Sequence, residues 1–326
     1  MNTFGYIFRI QIFGESHGTG VGVVIDGCPA GISLQQQDFN LDLSRRKSGK
    51  KGTTKRKEKD YPLFISGVYN DKTTGSPVTI LFKNKDTKSH DYKNFVDIPR
   101  PGHADFSAQK KYNGYNDPRG GGHFSGRLTL GIVCAGVIAK KLIAPVLITA
   151  KLIEAGGTSN IDNAVQEAVY QNDSIGGIIE CKATSVPVGL GEPFFNSVES
   201  LISHIIFSIP GVKGIEFGSG FKASRLKGSE HNDSIVSKNG ETFTNNAGGI
   251  NGGISNGNDI YFRVAVKPTS SIHKKQSTIN LTTNKMAEII IRGRHDACFA
   301  LRAPVIVEAA TAIVLADLFM QLKTSR

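Results

Sequence analysis

Residues 128–148 and 303–322 are apolar around the whole circumference of a helix, and this constrains the fold more than any other feature of the chain. Their interior charges (Lys140, Lys141, Glu308, Asp317) and their small residues suit helices buried in protein better than helices facing lipid. A helix without a polar face has to be covered on most sides. Spans 8–13, 20–26, 65–69, 78–83, 146–154, 177–185, 212–217 and 259–267 read as strands, interleaved with helices at 37–46, 125–143, 161–170, 197–207 and 304–322. Polar and apolar residues alternate in several strands, as in Tyr261-Phe262-Arg263-Val264-Ala265, which favours antiparallel pairing with one solvated face. The long helices are therefore expected between antiparallel sheets. A chain of 326 residues suffices for one large domain or two, and no repeat, low-complexity tract or Pro/Ser-rich linker divides it.

Lys and Arg total 39 against 28 Asp and Glu, a net charge of +11. That excess suits nucleic acid, an acidic membrane or anionic small molecules without choosing among them. Residues 47–59, dense in Lys, Arg, Gly and Thr, are expected to form a mobile basic loop. The run from Arg45 to Lys59 carries no interleaved aromatic residue, which counts against nucleic acid. Cys28, Cys134, Cys181 and Cys298 lie far apart and form no CxxC pair, so neither a disulfide framework nor a structural zinc is expected. Gly14, Glu15 and His17 stand where a secretory leader needs apolar residues, and a reduced cytosolic setting follows as the expectation.

Five polar islands carry the chemistry. Phe13-Gly14-Glu15-Ser16-His17-Gly18 places an imidazole between glycines at a strand end, where it can exchange protons at a cleft. Ser44-Arg45-Arg46-Lys47 ends a helix with cations in fixed positions. Residues 99–127 combine Arg100, Arg119 and Arg127, which grip anions bidentately, with His103, His123 and the run Gly120-Gly121-Gly122. That run precedes the long apolar helix, whose first turn would hold Ser125 and Arg127 where a phosphate is favoured. Lys267-Pro268-Thr269-Ser270-Ser271 offers hydroxyls and amides after a strand, suited equally to a phosphate and to a turn. In Arg292-Gly293-Arg294-His295-Asp296-Ala297-Cys298, Asp296 lies beside arginines that favour its ionised form and could serve as a base.

Known nucleotide motifs fail: Val23 stands where a Rossmann turn needs its third glycine, and Lys51 follows Gly49-Lys50 where a Walker loop needs Ser or Thr. His17, His103, Asp105, His295 and Asp296 have no metal-ligand spacing and are crowded by arginines, so no metal is expected.

In number, order and spacing these islands resemble the chorismate synthase family over nearly the whole chain. The resemblance also runs through Asp26-Gly27-Cys28-Pro29, Arg100-Pro101-Gly102-His103-Ala104-Asp105, Gly189-Leu190-Gly191-Glu192-Pro193, Lys213-Gly214-Ile215-Glu216 and residues 248–255. It implies an α+β fold, a single-domain β-α-β sandwich over residues 1–326 with apolar helices between antiparallel sheets, assembled as a homotetramer. It implies conversion of 5-enolpyruvylshikimate-3-phosphate to chorismate and phosphate, a 1,4-anti elimination requiring reduced FMN, with NADPH or an external flavin reductase as the reductant. No nucleic acid or membrane partner enters.

The family's catalytic residues fall on His17, which keeps the reduced flavin protonated, on His103, which protonates the departing phosphate, and on Asp296, which relays a proton away. Substrate contacts fall on Ser16, Arg45, Arg46, Arg100, Arg127 and Arg294. Cofactor contacts fall on His123, Phe124, Ser125, Pro210, Gly211, Gly252, Lys267, Pro268, Thr269, Ser270, Ser271 and Arg294. Where many members carry Arg-Ser-Ser-Ala-Arg this chain has His123-Phe124-Ser125-Gly126-Arg127, so a histidine stands where relatives use a flavin-phosphate arginine.

Overall fold

The computed structural model describes residues 2–49 and 51–324. The first antiparallel sheet contains β1 (Thr3–Phe4), β2 (Arg9–Gly14), β3 (Gly20–Asp26), β4 (Leu63–Ser66) and, after a small hairpin of β5 (Val68–Tyr69) and β6 (Lys72–Thr73), β7 (Val78–Lys83). Its strand order is β1-β2-β3-β7-β4. The second contains β8 (Leu147–Ala155), β9 (Gly177–Thr184), β10 (Val212–Phe217) and, after the hairpin of β11 (Ile250–Asn251) and β12 (Ile254–Ser255), β13 (Ile260–Val266). Its order is β10-β13-β9-β8, again antiparallel throughout. Along β13, Ile260, Phe262, Val264 and Val266 are buried while the intervening residues are not, which is the alternation a one-sided sheet requires.

The helices in chain order are α1 (Asn40–Arg46), α2 (Asp105–Lys111), α3 (Thr129–Leu142), α4 (Ile161–Tyr170), α5 (Val198–Phe207), α6 (Gly228–His231) and α7 (Pro304–Thr324). The two apolar helices, α3 and α7, lie between the sheets, as their lack of a polar face demands. Every residue of α3 from Thr129 to Ala139, and of α7 from Val305 to Leu318, is buried. α3 rests on β3: a Cβ on Gly131 would lie 3.2 Å from the carbonyl of Gly22. α3 and α7 touch backbone to backbone, because a Cβ on Gly136 would lie 2.3 Å from that of Ala309. Among the described residues α7 alone is long and apolar enough to cross a membrane, and 78% of its most apolar window is buried inside the protein.

The charges inside these helices have partners. Glu308 accepts two 2.7 Å hydrogen bonds from Arg45, one from the amide of Ala150 at 2.8 Å, and lies 3.4 Å from Lys140. Asp317 accepts from the amides of Tyr6, Ile7 and Phe8, fixing the entry to β2. A buried carboxylate is tolerated only when its lone pairs are met in this way.

Three local features differ from the sequence reading. Ser125 caps a short 3-10 turn, Gly126–Leu128, and α3 begins only at Thr129. Helix α2 is too short for a period to register. The hairpin of β14 (Lys275–Asn280) and β15 (Lys285–Ile290) is mostly polar and exposed; Ile289, with neighbouring Ile291, packs on Phe95 in a small separate core, so an apolar alternation scarcely exists there.

Candidate active site

A cleft of about 1640 Å³ opens where the ends of β2 and β13, the entry to α3 and the segment preceding α7 converge. Pockets for one small molecule usually measure about 300–1,000 Å³, so this one has room for two. The polar islands, separated along the chain, meet in its walls.

The first and third islands are joined through backbone, with the amide of Ser16 donating to the carbonyl of Gly122 at 3.0 Å. Gly120, Gly121 and Gly122 have φ of 62°, 79° and 52°, a left-handed run open to glycine and costly for other residues. Gly120 lies directly against His17; a Cβ there would sit 2.4 Å from the ring's Cδ2. The ring is fixed on its other sides by Ser89, whose Oγ is 3.1 Å from Nδ1, and by the edge of Tyr92 at 5.2 Å. Burial, reinforced by Arg56 and Arg119, lowers the His17 pKa to about 4. The near-neutral value expected of a free imidazole therefore does not hold here.

The basic loop lies over this corner. Arg56 donates to the hydroxyl and carbonyl of Ser16 at 2.8 and 3.0 Å and to Glu58 at 2.9 Å. The carbonyl of Gly52 accepts from the amides of Ala297 and Cys298, and Thr54 donates its amide to Asp296 and its hydroxyl to the carbonyl of Arg294, both at 2.9 Å. The described part of residues 47–59 forms a strap in contact with the Arg294–Asp296 island; Lys50 lies outside the described residues.

Deeper in the wall, Asp60 lies 2.8 Å from Nη1 of Arg127 and 3.5 Å from Nη1 of Arg46, all three side chains buried. Arg46 also donates to Thr129 and to the carbonyl of Gly126. Nη2 of Arg127 is buried without a partner. Asp296 is held by Arg302 through bonds of 3.0 and 2.8 Å; this buried pair replaces the neighbouring arginines that sequence proximity suggested. Arg294 turns instead to Asp86, contacting its carboxylate and, at 3.1 Å, its carbonyl.

His103 is half-buried, and its pKa is lowered by loss of solvation despite the opposing effect of Asp105, whose Oδ1 is 2.6 Å from Nδ1. Arg100 donates from Nε and Nη2 to the same carboxylate and from Nη1 to Ser271, and its guanidinium stacks 4.5 Å from the Phe95 ring centre. Lys267 and Ser270 both donate to the carbonyl of Gly102 at 2.6 Å. Pro268, Thr269, Pro210, Gly211, Phe124 and Ser125 line the same cleft. Two polar atoms in its wall, Thr269 Oγ1 and His295 Nε2, are buried and unpartnered. Burial together with Arg100 and His273 lowers the His295 pKa to about 4.

Three expected site residues are placed differently. Arg45 faces Glu308 rather than the cleft, because successive helical residues point about 100° apart and its neighbour Arg46 takes the inward direction. Gly252, at the tip of the β11–β12 hairpin, is not among the lining residues. His123 does line the cleft, but Nδ1 faces the carbonyl of Gly14 at 2.9 Å and Nε2 faces Asn2 at 3.0 Å, so both ring nitrogens already have protein partners. Arg119 is exposed and paired with Asp117. Arg56, Asp60, Asp86 and Arg302 were absent from the sequence-derived set. Only Arg56 leaves a trace in the sequence reading, as a member of the basic run from Arg45 to Lys59. Among the described residues no group of three or more His, Cys, Asp and Glu is placed to hold a metal ion.

An α+β enzyme with a cationic, imidazole-bearing cleft sized for two ligands is the class that this fold and site define. The family model described as chorismate synthase matches residues 8–320. A chorismate synthase of Chitinophaga pinensis is 57% identical over 321 residues, covering 98% of this chain and 97% of that one. One of Thermococcus gammatolerans is 42% identical, with 98% of each chain covered. A solved structure titled "Crystal Structure of Chorismate Synthase" superposes with a TM-score of 0.75 at 25% identity, covering 98% of this chain and 93% of that one. The chain belongs to the chorismate synthase family, and its activity is that of a lyase in aromatic biosynthesis.

Proposed function

We propose that this chain eliminates phosphate from 5-enolpyruvylshikimate-3-phosphate in the 1,4-anti sense, with reduced FMN bound beside the substrate, to give chorismate. The observation that carries this reading is the buried, unpaired Nη2 of Arg127 in a cleft that also holds His17 and His103. An unmet cationic donor in a closed wall calls for an anion. Arg46, Arg294 and Ser16, supported by Asp60, Asp86 and Arg56, complete a pocket suited to a phosphate and two carboxylates.

FMN suits the residues present. Thr269 Oγ1 and His295 Nε2 await polar partners, and the cleft volume exceeds what the substrate alone would fill. Phe124, Ser125, Pro210, Gly211 and residues 267–271 would hold it, with His123 at the margin. When bound, reduced FMN supplies electron density to the reacting ring and an acceptor for the hydrogen lost from C6.

The side chains manage protons and charge. His103 gives a proton to the phosphate oxygen as the C–O bond breaks, His17 holds the proton that keeps the cofactor neutral, and Asp296 carries a proton away from the reacting centre. Burial among cations lowers the pKa of both imidazoles, and a phosphate dianion placed beside them shifts each upward again, so protonation accompanies binding. The strap of residues 51–58 excludes water once both ligands are in place.

The homotetramer and the cytoplasmic setting are carried over from the family resemblance; the exposed Phe194 and Phe195, 86% and 90% accessible in the single chain, suit association between copies. The test is phosphate release from 5-enolpyruvylshikimate-3-phosphate with photoreduced FMN under strict anaerobiosis. Release is expected; none under full reduction overturns the reading. Repeating the assay with NADPH as the only reductant decides whether an external flavin reductase is needed.

A further inference from the structure

Arg100, His103 and Asp105 sit within five residues of chain yet form a closed set of contacts. Asp105 Oδ1 is 2.6 Å from His103 Nδ1. The same carboxylate accepts from Arg100 three times, through the amide at 3.1 Å, Nε at 2.8 Å and Nη2 at 2.8 Å. Nη2 of Arg100 also lies 3.0 Å from Nδ1 and 3.1 Å from Nε2 of His103, so it rests over the ring within hydrogen-bond distance of both nitrogens. Nη1 is used by Ser271, and the guanidinium is packed on Phe95. Every nitrogen of Arg100 is thus met within the protein, and the side chain is buried. Its charge reaches the cleft through what it holds.

We propose that Asp105 is the positioning residue of the site: it fixes His103 as the Nδ1–H tautomer and leaves Nε2 as the atom that exchanges the proton, while Arg100 locks the carboxylate in place. This deepens the function proposed above and rests on His103 being its acid. A carboxylate holding the far nitrogen of an imidazole sets which nitrogen is free and stabilises the imidazolium when it forms. Nε2 is the nitrogen turned toward the glycine run, 3.6 Å from where a Cβ of Gly121 would be.

The charges facing His103 sharpen the need for Asp105. Arg100 and Lys267 oppose protonation, as does burial, and Asp105 is the group that favours it. Burial alone would push the Asp105 carboxyl up, but its bonds from Arg100 and His103 bring it well below the usual carboxylate range. Those bonds favour its carboxylate form.

The experiment compares wild type with Asp105→Asn for phosphate release across pH, alongside the 15N spectrum of His103. An acid acting from His103 loses activity as pH rises through its pKa. Without the carboxylate that limb moves to lower pH, and kcat falls about 10²–10⁴-fold, while oxidised FMN still binds. Asp105→Glu should recover part of the rate. A rate within threefold of wild type with an unmoved limb overturns the proposal. In wild type at high pH the neutral ring should carry its proton on Nδ1; a proton on Nε2 overturns the proposal even where the Asn variant fails to fold. Wild type that releases no phosphate sinks the elimination reading instead, and the tautomer measurement still decides the role of Asp105.

Discussion

Replacing Gly120 by alanine tests whether the glycine run exists to seat His17. At φ 62° any side chain strains the backbone, by about 1–2 kcal/mol. The added Cβ would lie 2.4 Å from Cδ2 and 2.6 Å from Nε2 of His17, and 2.9 Å from Ser16 Oγ. Ordinary contact begins at 3.4 Å, so the ring must move by about 1 Å. It has little room to do so, with Ser89 on Nδ1 and Tyr92 edge-on behind it. A 1 Å misplacement of a reacting group costs on the order of 10²-fold in rate, about 2.7 kcal/mol of barrier. Gly114 supplies the control, since its φ is 80° with nothing within 4 Å of the added Cβ. Gly114→Ala should lose about 1–2 kcal/mol in denaturant unfolding from backbone strain alone, and Gly120→Ala more because its Cβ also presses on His17. Only Gly120→Ala should also lose about 10²-fold in kcat for phosphate release. A folded Gly120→Ala enzyme within threefold of wild type refutes the reasoning. Equal slowing by Gly114→Ala would show that backbone strain, not the imidazole, sets the rate.

Stability should depend on pH through the buried imidazoles. His17 and His295 have pKa values of about 4 in the folded chain against an ordinary 6.5, so the unfolded chain binds more protons between those values. Their contribution is complete above pH 6.5 and is lost as pH falls toward 4; Tm measured without ligand should drop over that window, less steeply in His17→Gln, and identical slopes count against burial as the cause. Asp60→Asn leaves Arg46 and Arg127 facing each other without their carboxylate. It should destabilise by about 3 kcal/mol, and added inorganic phosphate should raise Tm more in the variant than in wild type. Arg45→Met removes a partly exposed partner of Glu308 and should cost about 1–3 kcal/mol of stability. Its KM should stay unchanged; a raised KM would return Arg45 to the substrate pocket.

Much of the architecture was legible because burial leaves a period. The unbroken apolar faces of α3 and α7 dictated two covering sheets, and the alternation in β13 dictated which face each sheet hides. Periodicity cannot name partners. Arg45 and Arg46 read alike as residues, yet the turn of α1 sends one to Glu308 and the other to Asp60 and the carbonyl of Gly126. Asp296 has arginines two and four positions before it, but the chain folds so that Arg302, beyond the intervening turn, takes its carboxylate. The β14–β15 ribbon went unread because a hairpin with two solvated faces has almost no hydrophobic signal.

The same distinction changes what the positive charge of the chain means. An excess of +11 suggests a pool of cations waiting for an anion. In the folded site the arginines are instead tied to carboxylates: Arg46 and Arg127 to Asp60, Arg100 to Asp105, Arg294 to Asp86, Arg302 to Asp296. Each pair lowers the net field but removes the freedom of a long side chain, so orientation is fixed before any ligand arrives. A mobile cation gains its contact only by losing rotamer entropy at that moment, whereas a fixed donor has already lost it during folding. Arg127, anchored through Nε and Nη1 with Nη2 left unmet, is the clearest case. Its charge is held in one place by Asn84 and Asp60, and the one unsatisfied nitrogen sets the direction from which an anion can be bound.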